Sequence, residues 1–359
     1  MGWGLPVKTR RSHRSSLFVH EPLFNSKQHD QYLQSRNFNK LLKNQIKNGW
    51  PFALYVAYLF ILYQLGGLRD DLIIVSTLAL ILFYGGPKTQ PVFQFLLPLF
   101  LTHIIYDTQR YYADLIRLAV HVEEPYRFDK FFFGIETARG RLTPNEWWQL
   151  HTHPILDFVC GIAYIIFIPV YVICAALWRF WYSRKGTELR PARSIYLRSP
   201  QVMWAFFWVN MLGYSTYYWY PASPPWYVEL YGLGPARLDV PANLAGCARF
   251  DALLGLPIFQ NWYGRSADVH GAIPSLHIAY PLMAVYYAFR FGSLRTFTTL
   301  FYLLMCFSAV YLNHHYVLDI LWGSVYAITV AFSTDMVWNW LLKRKGVIVP
   351  GTSEDLALL

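Results

Sequence analysis

His270-Gly-Ala-Ile-Pro-Ser-Leu-His277 opens a largely apolar stretch that ends in His314-His-Tyr-Val-Leu-Asp319. Between the two lie apolar windows at 277–291 and 296–313, separated by Gly292-Ser-Leu-Arg295. Apolar runs of this length read as helices of a bilayer bundle, and the short glycine-bearing break reads as the turn of a helical hairpin. At 1.5 Å per residue each leg covers about 22 to 27 Å, so the chain leaves one face and returns to it. His277 and His315, 38 residues apart, therefore arrive at the same face. Asp319 follows His315 by four residues, on the same side of a helix, where a carboxylate can hold and polarise an imidazole.

Six more windows of the same kind lie outside this hairpin, at 51–66, 72–86, 91–107, 153–178, 201–219 and 316–341, making eight in 359 residues. Only 14% of the residues are charged, against roughly 25% in an ordinary soluble domain, and 55% are hydrophobic. The composition argues against a soluble enzyme. It gives an all-α, polytopic integral membrane bundle of about eight helices. Pro98 and Pro169 fall inside windows, which is tolerable where neighbouring helices satisfy the freed carbonyls. Aromatic residues reach 19%, the level expected of belts and loops at a membrane–water boundary. Cys160, Cys174, Cys247 and Cys306 show no C-x-x-C spacing, so neither a disulfide framework nor a cysteine zinc site is expected.

The net charge of +10 raises nucleic acid as a partner, but its distribution points to topology instead. With the N-terminus cytoplasmic, 21 of the 31 Lys and Arg fall on the inner side, nine of them in residues 1–50. The positive-inside rule then places both termini in the cytoplasm and the paired histidines on the extracytoplasmic face. No signal peptide is apparent, since the first apolar run follows that basic tail. The expected organisation is a basic tail at 1–50, two N-terminal membrane helices at 51–90, and a core at 91–341. That core carries outer loops at 108–152 and 220–276, read as folded caps, and a cytoplasmic tail follows at 342–359.

Two histidines and an aspartate facing one another at a membrane surface suit phosphoryl transfer without a metal. One imidazole attacks phosphorus, the aspartate fixes its tautomer, and the second imidazole protonates the departing alkoxide and later deprotonates the incoming hydroxyl. Pro274-Ser275 opens a helix after Gly271, so backbone amides and the Ser275 hydroxyl could cradle phosphate oxygens. The competing readings are interfacial histidines bonded to carbonyls, a His/Asp metal site, and a proton relay in a lipid transporter. His314 is a lesser candidate for a direct role. Asp157 is either part of the substrate site or a partner of His153 four residues earlier. Trp226-Tyr227 reads as an interfacial aromatic anchor in preference to a headgroup site.

Pro274-Ser-Leu-His277 resembles the P-S-G-H element of the PAP2 phosphatase/phosphotransferase superfamily, and Ser308, His315 and Asp319 match its final S-R-x5-H-x3-D element. Ser223-Pro-Pro-Trp-Tyr-Val-Glu-Leu-Tyr-Gly-Leu-Gly-Pro-Ala236, Ala248-Arg-Phe-Asp251 and the two histidine elements look like the inositol phosphorylceramide synthases of the fungal type. Thr143-Pro-Asn-Glu-Trp147 and Leu156-Asp157 add weaker similarity, and the resemblance runs from about residue 90 to 340. It implies a six-helix core, His315 as the nucleophile of a phosphohistidine intermediate, Asp319 as its orienting partner and His277 as acid/base. The lipids implied are phosphatidylinositol as donor, a ceramide-like acceptor and diacylglycerol as product, with no cofactor and with a regulatory subunit left open. A lipid phosphatase, with water as acceptor, is the alternative. The host is then a bacterial inner membrane, with a periplasmic site, or a Golgi membrane, with a lumenal one.

Two departures bear on the phosphate site. The superfamily's arginine in the last element is Ala309 here, and the K-x6-R-P element is missing. Lys185 to Pro191 imitates that element with too few residues between Lys and Arg, and on the wrong side. Arg249 and Arg265 of the outer loop are the candidate replacement cations, and Gly271, Ser275 and Asp157 complete the expected binding set. A phosphodiester needs less positive charge than a monoester, which favours a transferase.

Overall fold

The computed structural model describes residues 49–182, 200–263 and 268–344. Arg265, the Lys185 to Pro191 segment and most of both tails lie outside the described residues. The chain divides into two compact units, residues 1–68 and 69–359. In the first, α1 (Trp50–Gln64) follows a left-handed Gly49, with Pro51 in the opening turn where its missing N–H costs nothing.

The second unit begins with α2 (Asp70–Tyr84) and α3 (Gln90–Thr108), which pack together. The connection from 109 to 153 then folds into short pieces: α4 (Ala113–Ile116), α5 (Glu123–Phe133) and α6 (Pro144–Gln149), the last opened by a capping box in which Thr143 and Glu146 satisfy each other's backbone amides. α7 (Pro154–Ala176) runs on as a π-helical turn to Tyr182 and is capped by His153, whose ring accepts from the Ile155 amide. After α8 (Gln201–Trp219), the connection from 220 to 275 holds α9 (Pro225–Tyr231), α10 (Cys247–Leu254) and α11 (Ile258–Tyr263). α12 (Leu276–Phe291), α13 (Arg295–Tyr311) and α14 (Val317–Arg344) complete the bundle.

Each of the eight apolar windows is thus a helix. By length and composition two of them, Pro154–Tyr182 and Val317–Arg344, are long and apolar enough to cross a membrane. The fold departs from an all-helical one in a small antiparallel hairpin, Ile135–Thr137 with Gly140–Leu142, whose turn uses Gly140 at φ 95°.

α12 is the central element, packed against α7, α8, α13 and α14. Its Ala279, Ala284 and Ala288 are buried at 0 to 1% exposure, and such small side chains let helix backbones approach closely. Two glycines mark where contact becomes direct. A Cβ on Gly323 of α14 would lie 2.4 Å from the Ser275 carbonyl oxygen, and one on Gly161 of α7 would lie 2.2 Å from the Phe250 ring. These two long connections are laced together by backbone bonds: His121 N donates to Pro221 O, Ala222 N to His270 O, and Ala272 N to Ala222 O. Trp226 and Tyr227 are not an interfacial anchor. They are buried with Val122 and Val240 beneath these loops, because the apolar faces of both loops meet there.

Candidate active site

The hairpin α12–α13 returns the chain to its starting face, and a compact turn at 312–316 presents the second histidine. Asn313 takes a left-handed conformation at φ 60°, and the amides of His314 and His315 both donate to the Ala309 carbonyl at 3.1 Å. Asn145 of α6 holds the turn from outside, its amide donating to the carbonyls of Val310 and His315. The Asp319 carbonyl accepts the Ser275 amide at 3.1 Å, which fastens the start of α12, and hence His277, to α14.

His277 Nδ1 lies 3.1 Å from His315 Nε2, and His315 Nδ1 lies 3.2 Å from Asp319 Oδ2. The Tyr263 hydroxyl lies 3.1 Å from His277 Nε2. With neutral rings and an ionised aspartate, one proton arrangement satisfies every link. Tyr263 O–H donates to His277 Nε2, His277 Nδ1–H donates to His315 Nε2, and His315 Nδ1–H donates to Asp319. The lone pair of His315 Nε2 then points at His277. Tyr164 and Phe167 of α7 flank the His277 ring, with centroids 4.8 and 4.6 Å away.

The chain of groups opens on a cavity of about 340 Å³, a size that accepts a headgroup with the adjoining part of a lipid. Its wall includes His277, His314 and His315 with six tyrosines (Tyr106, Tyr164, Tyr214, Tyr217, Tyr263 and Tyr280), and no Lys or Arg among the described lining residues. Gly271 lines the cavity; a Cβ there would meet the Tyr217 ring at 2.9 Å. Ser275 is fully buried and lies off the cavity wall.

Arg249 and Asp157 find each other. Arg249 Nε donates to Asp157 Oδ1 at 2.6 Å, and the guanidinium also bonds Gln149 Oε1 and the Tyr311 carbonyl. Asp157 takes the Tyr311 hydroxyl as well, at 2.8 Å, so its partners are Arg249 and Tyr311; His153 instead caps α7. Neither Arg249 nor Asp157 belongs to the cavity lining. His314 lines the cavity while its Nε2 lies 3.1 Å from the Leu244 carbonyl and 3.3 Å from Cys247 Sγ. His270, the first residue of the motif, is a scaffold group between Ser223 Oγ and the Arg237 carbonyl.

Sequence reasoning missed Tyr263, Tyr164, Phe167, Asn145 and Asp129. Asp129 of α5 is fully buried and accepts the amides of Val317 and Leu318 at 2.7 and 2.9 Å. A lone acid among the aromatics of Tyr126–Phe133 was its only signal. Burial pushes its carboxyl up to about 7 against the pull of those two amides, and the nearby Asp319 adds to the rise.

Burial also pushes His315 down to about 3, and holds His314 well below the usual histidine range. His315 Nε2 therefore carries no proton of its own at neutral pH and accepts from His277. The linkage has a definite sign: the unfolded chain takes up a proton near pH 6.5, the folded site refuses it, and stability falls as pH drops below that value. Thermal melts of the solubilised protein should give a lower Tm at pH 5.5 than at pH 7.5. His315→Gln should narrow that Tm difference, in line with about 1 kcal/mol less pH-dependent stability. An unchanged difference would mean that His315 is not held neutral.

The chain as a whole has recognisable relatives. The model of the PAP2 superfamily matches residues 135–333. The phosphoinositol dihydroceramide synthase of Bacteroides thetaiotaomicron is 35% identical over 261 residues, covering 72% of this chain and 81% of that protein. The inositol phosphorylceramide synthase catalytic subunit of Schizosaccharomyces pombe is 32% identical over 180 residues, 49% of this chain and 40% of that one. The inositol phosphorylceramide synthase of Candida albicans is 33% identical over 142 residues, 39% and 30% of the two chains. No solved structure matches. By the extent of the family match and of the bacterial relative, this chain belongs to the PAP2 superfamily and is similar to its inositol phosphorylceramide synthases.

Proposed function

We propose that the protein is a polytopic membrane enzyme that transfers inositol phosphate from phosphatidylinositol to ceramide or a similar lipid alcohol, releasing diacylglycerol. Eight helices cross the bilayer, six of them from about residue 91 onward forming the superfamily core. Both termini are cytoplasmic and the histidines lie on the extracytoplasmic face. The observation that carries the reading is the Tyr263–His277–His315–Asp319 chain of bonds opening on a cavity whose described lining holds no Lys or Arg.

In the resting site His277 Nδ1–H occupies the lone pair of His315. An entering phosphodiester replaces that bond. His315 Nε2 attacks phosphorus, the bond from phosphorus to the glycerol oxygen breaks, and the departing alkoxide takes the Nδ1 proton of His277 while Tyr263 O–H passes its proton to Nε2, so that the ring stays neutral and the charge rests on the Tyr263 oxygen. Inositol phosphate is left on His315. The primary hydroxyl of the acceptor then gives its proton to His277 Nδ1 as the Nε2 proton returns to Tyr263, and its oxygen attacks phosphorus, which frees His315. Asp319 stabilises the phosphorylated imidazolium in between.

The charge balance favours a diester. It brings one negative charge to a wall of tyrosines and imidazoles that already includes the Asp268 carboxylate, itself paired with Arg117, whereas a monoester brings nearly two. The cation expected to compensate, Arg249, is already engaged by Asp157. Purified protein supplied with labelled phosphatidylinositol should release diacylglycerol only when ceramide or dihydroceramide is added, with the label moving to the acceptor lipid. Acceptor-independent release of inositol phosphate would replace this reading with that of a lipid hydrolase.

A further inference from the structure

The start of α14 is an unusual helix terminus. Tyr316, the residue before it, carries no short side-chain acceptor for the amides of the first turn, which every helix must satisfy from elsewhere. Two carboxylates divide the task. Asp319 Oδ2 accepts the Tyr316 amide at 3.0 Å together with His315 Nδ1–H, while Asp129, on a helix 188 residues earlier, accepts Val317 N and Leu318 N. Asp129 and Asp319 are both at 0% exposure, so water does not substitute for either.

We propose that Asp129 is a positioning residue for the site: by capping the first turn of α14 it leaves Asp319 free to hold the tautomer and direction of His315. Without Asp129, two buried amides lack an acceptor and the nearest carboxylate is Asp319, three residues into the same helix. Asp319 is then drawn along its own helix axis, as acidic residues in a first turn commonly are, and away from the imidazole. Asp129 neither lines the cavity nor bonds either catalytic histidine, so its effect on them passes through the first turn of α14, which carries Asp319.

The proposal rests on the reading of the histidine site, and one test of it does not depend on which lipids react. The protein labelled with 15N-histidine and reconstituted in bilayers should show His315, assigned by its loss in His315→Gln, as a single tautomer protonated at Nδ1. In Asp129→Ala that signature should broaden or divide between the two tautomers while the helical content and the resonances of His270 and His121 stay in place. An unchanged His315 signature in the folded variant overturns the proposal. Turnover is the second readout. Asp129→Ala should lower kcat at least tenfold with KM values within about twofold, and should add almost no further loss to Asp319→Asn. A wild-type kcat in the folded variant, or a full additive loss in the double variant, makes Asp129 a stability residue only. Should Asp129→Ala not fold, Asp129→Asn keeps the volume and one acceptor and is read by the same criteria. A wild-type protein inactive on the proposed lipids would count against the functional reading, while the spectroscopic comparison still decides the role of Asp129.

Discussion

Replacement of His315 by alanine should reduce headgroup transfer by about 10⁴-fold or more and should remove every trace of a covalent intermediate. The size follows from what is lost: His315 Nε2 is the cavity-lining nitrogen that the described bonds place against a proton donor, His277 Nδ1–H. His277 Nε2 is covered by the Tyr263 hydroxyl, and His314 Nε2 faces the Leu244 carbonyl. The measurement is a rapid quench of the purified protein with phosphorus-labelled phosphatidylinositol, followed by a search for an acid-labile label on the protein. The wild type should carry it, at the highest level when acceptor is withheld, and His315→Ala should not. Labelling retained in His315→Ala would refute the assignment of the nucleophile. His277→Ala should be nearly as slow in overall turnover, because the alkoxide would then leave without a proton.

Asp319→Asn should cost about 10³-fold in kcat with little change in KM, because the loss falls on the charged intermediate and not on the bound lipid. The amide oxygen can still accept from His315 and from the Tyr316 amide, so the ring keeps its place. What disappears is the negative charge beneath a phosphorylated imidazolium in a fully buried site, where electrostatic interactions are strongest. The amide's NH₂ would also stand where Asp319 Oδ1 is buried without a partner, so a modest fall in Tm should accompany the kinetic loss. Steady-state kinetics on the folded variant, with melting as a control, tests this. A rate within tenfold of wild type would mean that Asp319 only orients the ring.

The parts of this structure legible in the sequence are those with a local pattern. The window at 153–178 is α7 from Pro154, and the one at 316–341 is α14 from Val317, because proline and polar residues bound uninterrupted apolar runs. His277, His315 and Asp319 could be brought together from helix length and the four-residue spacing alone. The groups that complete the site come from outer loops whose sequence has no period. Tyr263 and Asp129 reach their partners across 14 and 188 residues, and only the packing of the loops decides that. Arg249 and Asp157 show the converse. Each reads as a substrate group by itself, and the fold satisfies them with one another as part of a cluster around Tyr311. The hairpin at 135–142 was hidden for a related reason: three residues per strand are too few to establish an alternation.

The tie between α5 and the first turn of α14 sets when in its synthesis the protein can begin to work. The ribosome makes Asp129 early and the amides that it caps 188 residues later. At ordinary rates of translation that interval is about 10 to 40 s, and only for about its last 2 to 8 s is His277 present without the carboxylate of Asp319 beneath its partner imidazole. On the proposed reading, lipids meet a complete site only after α14 has been made and α5 has closed upon its first turn.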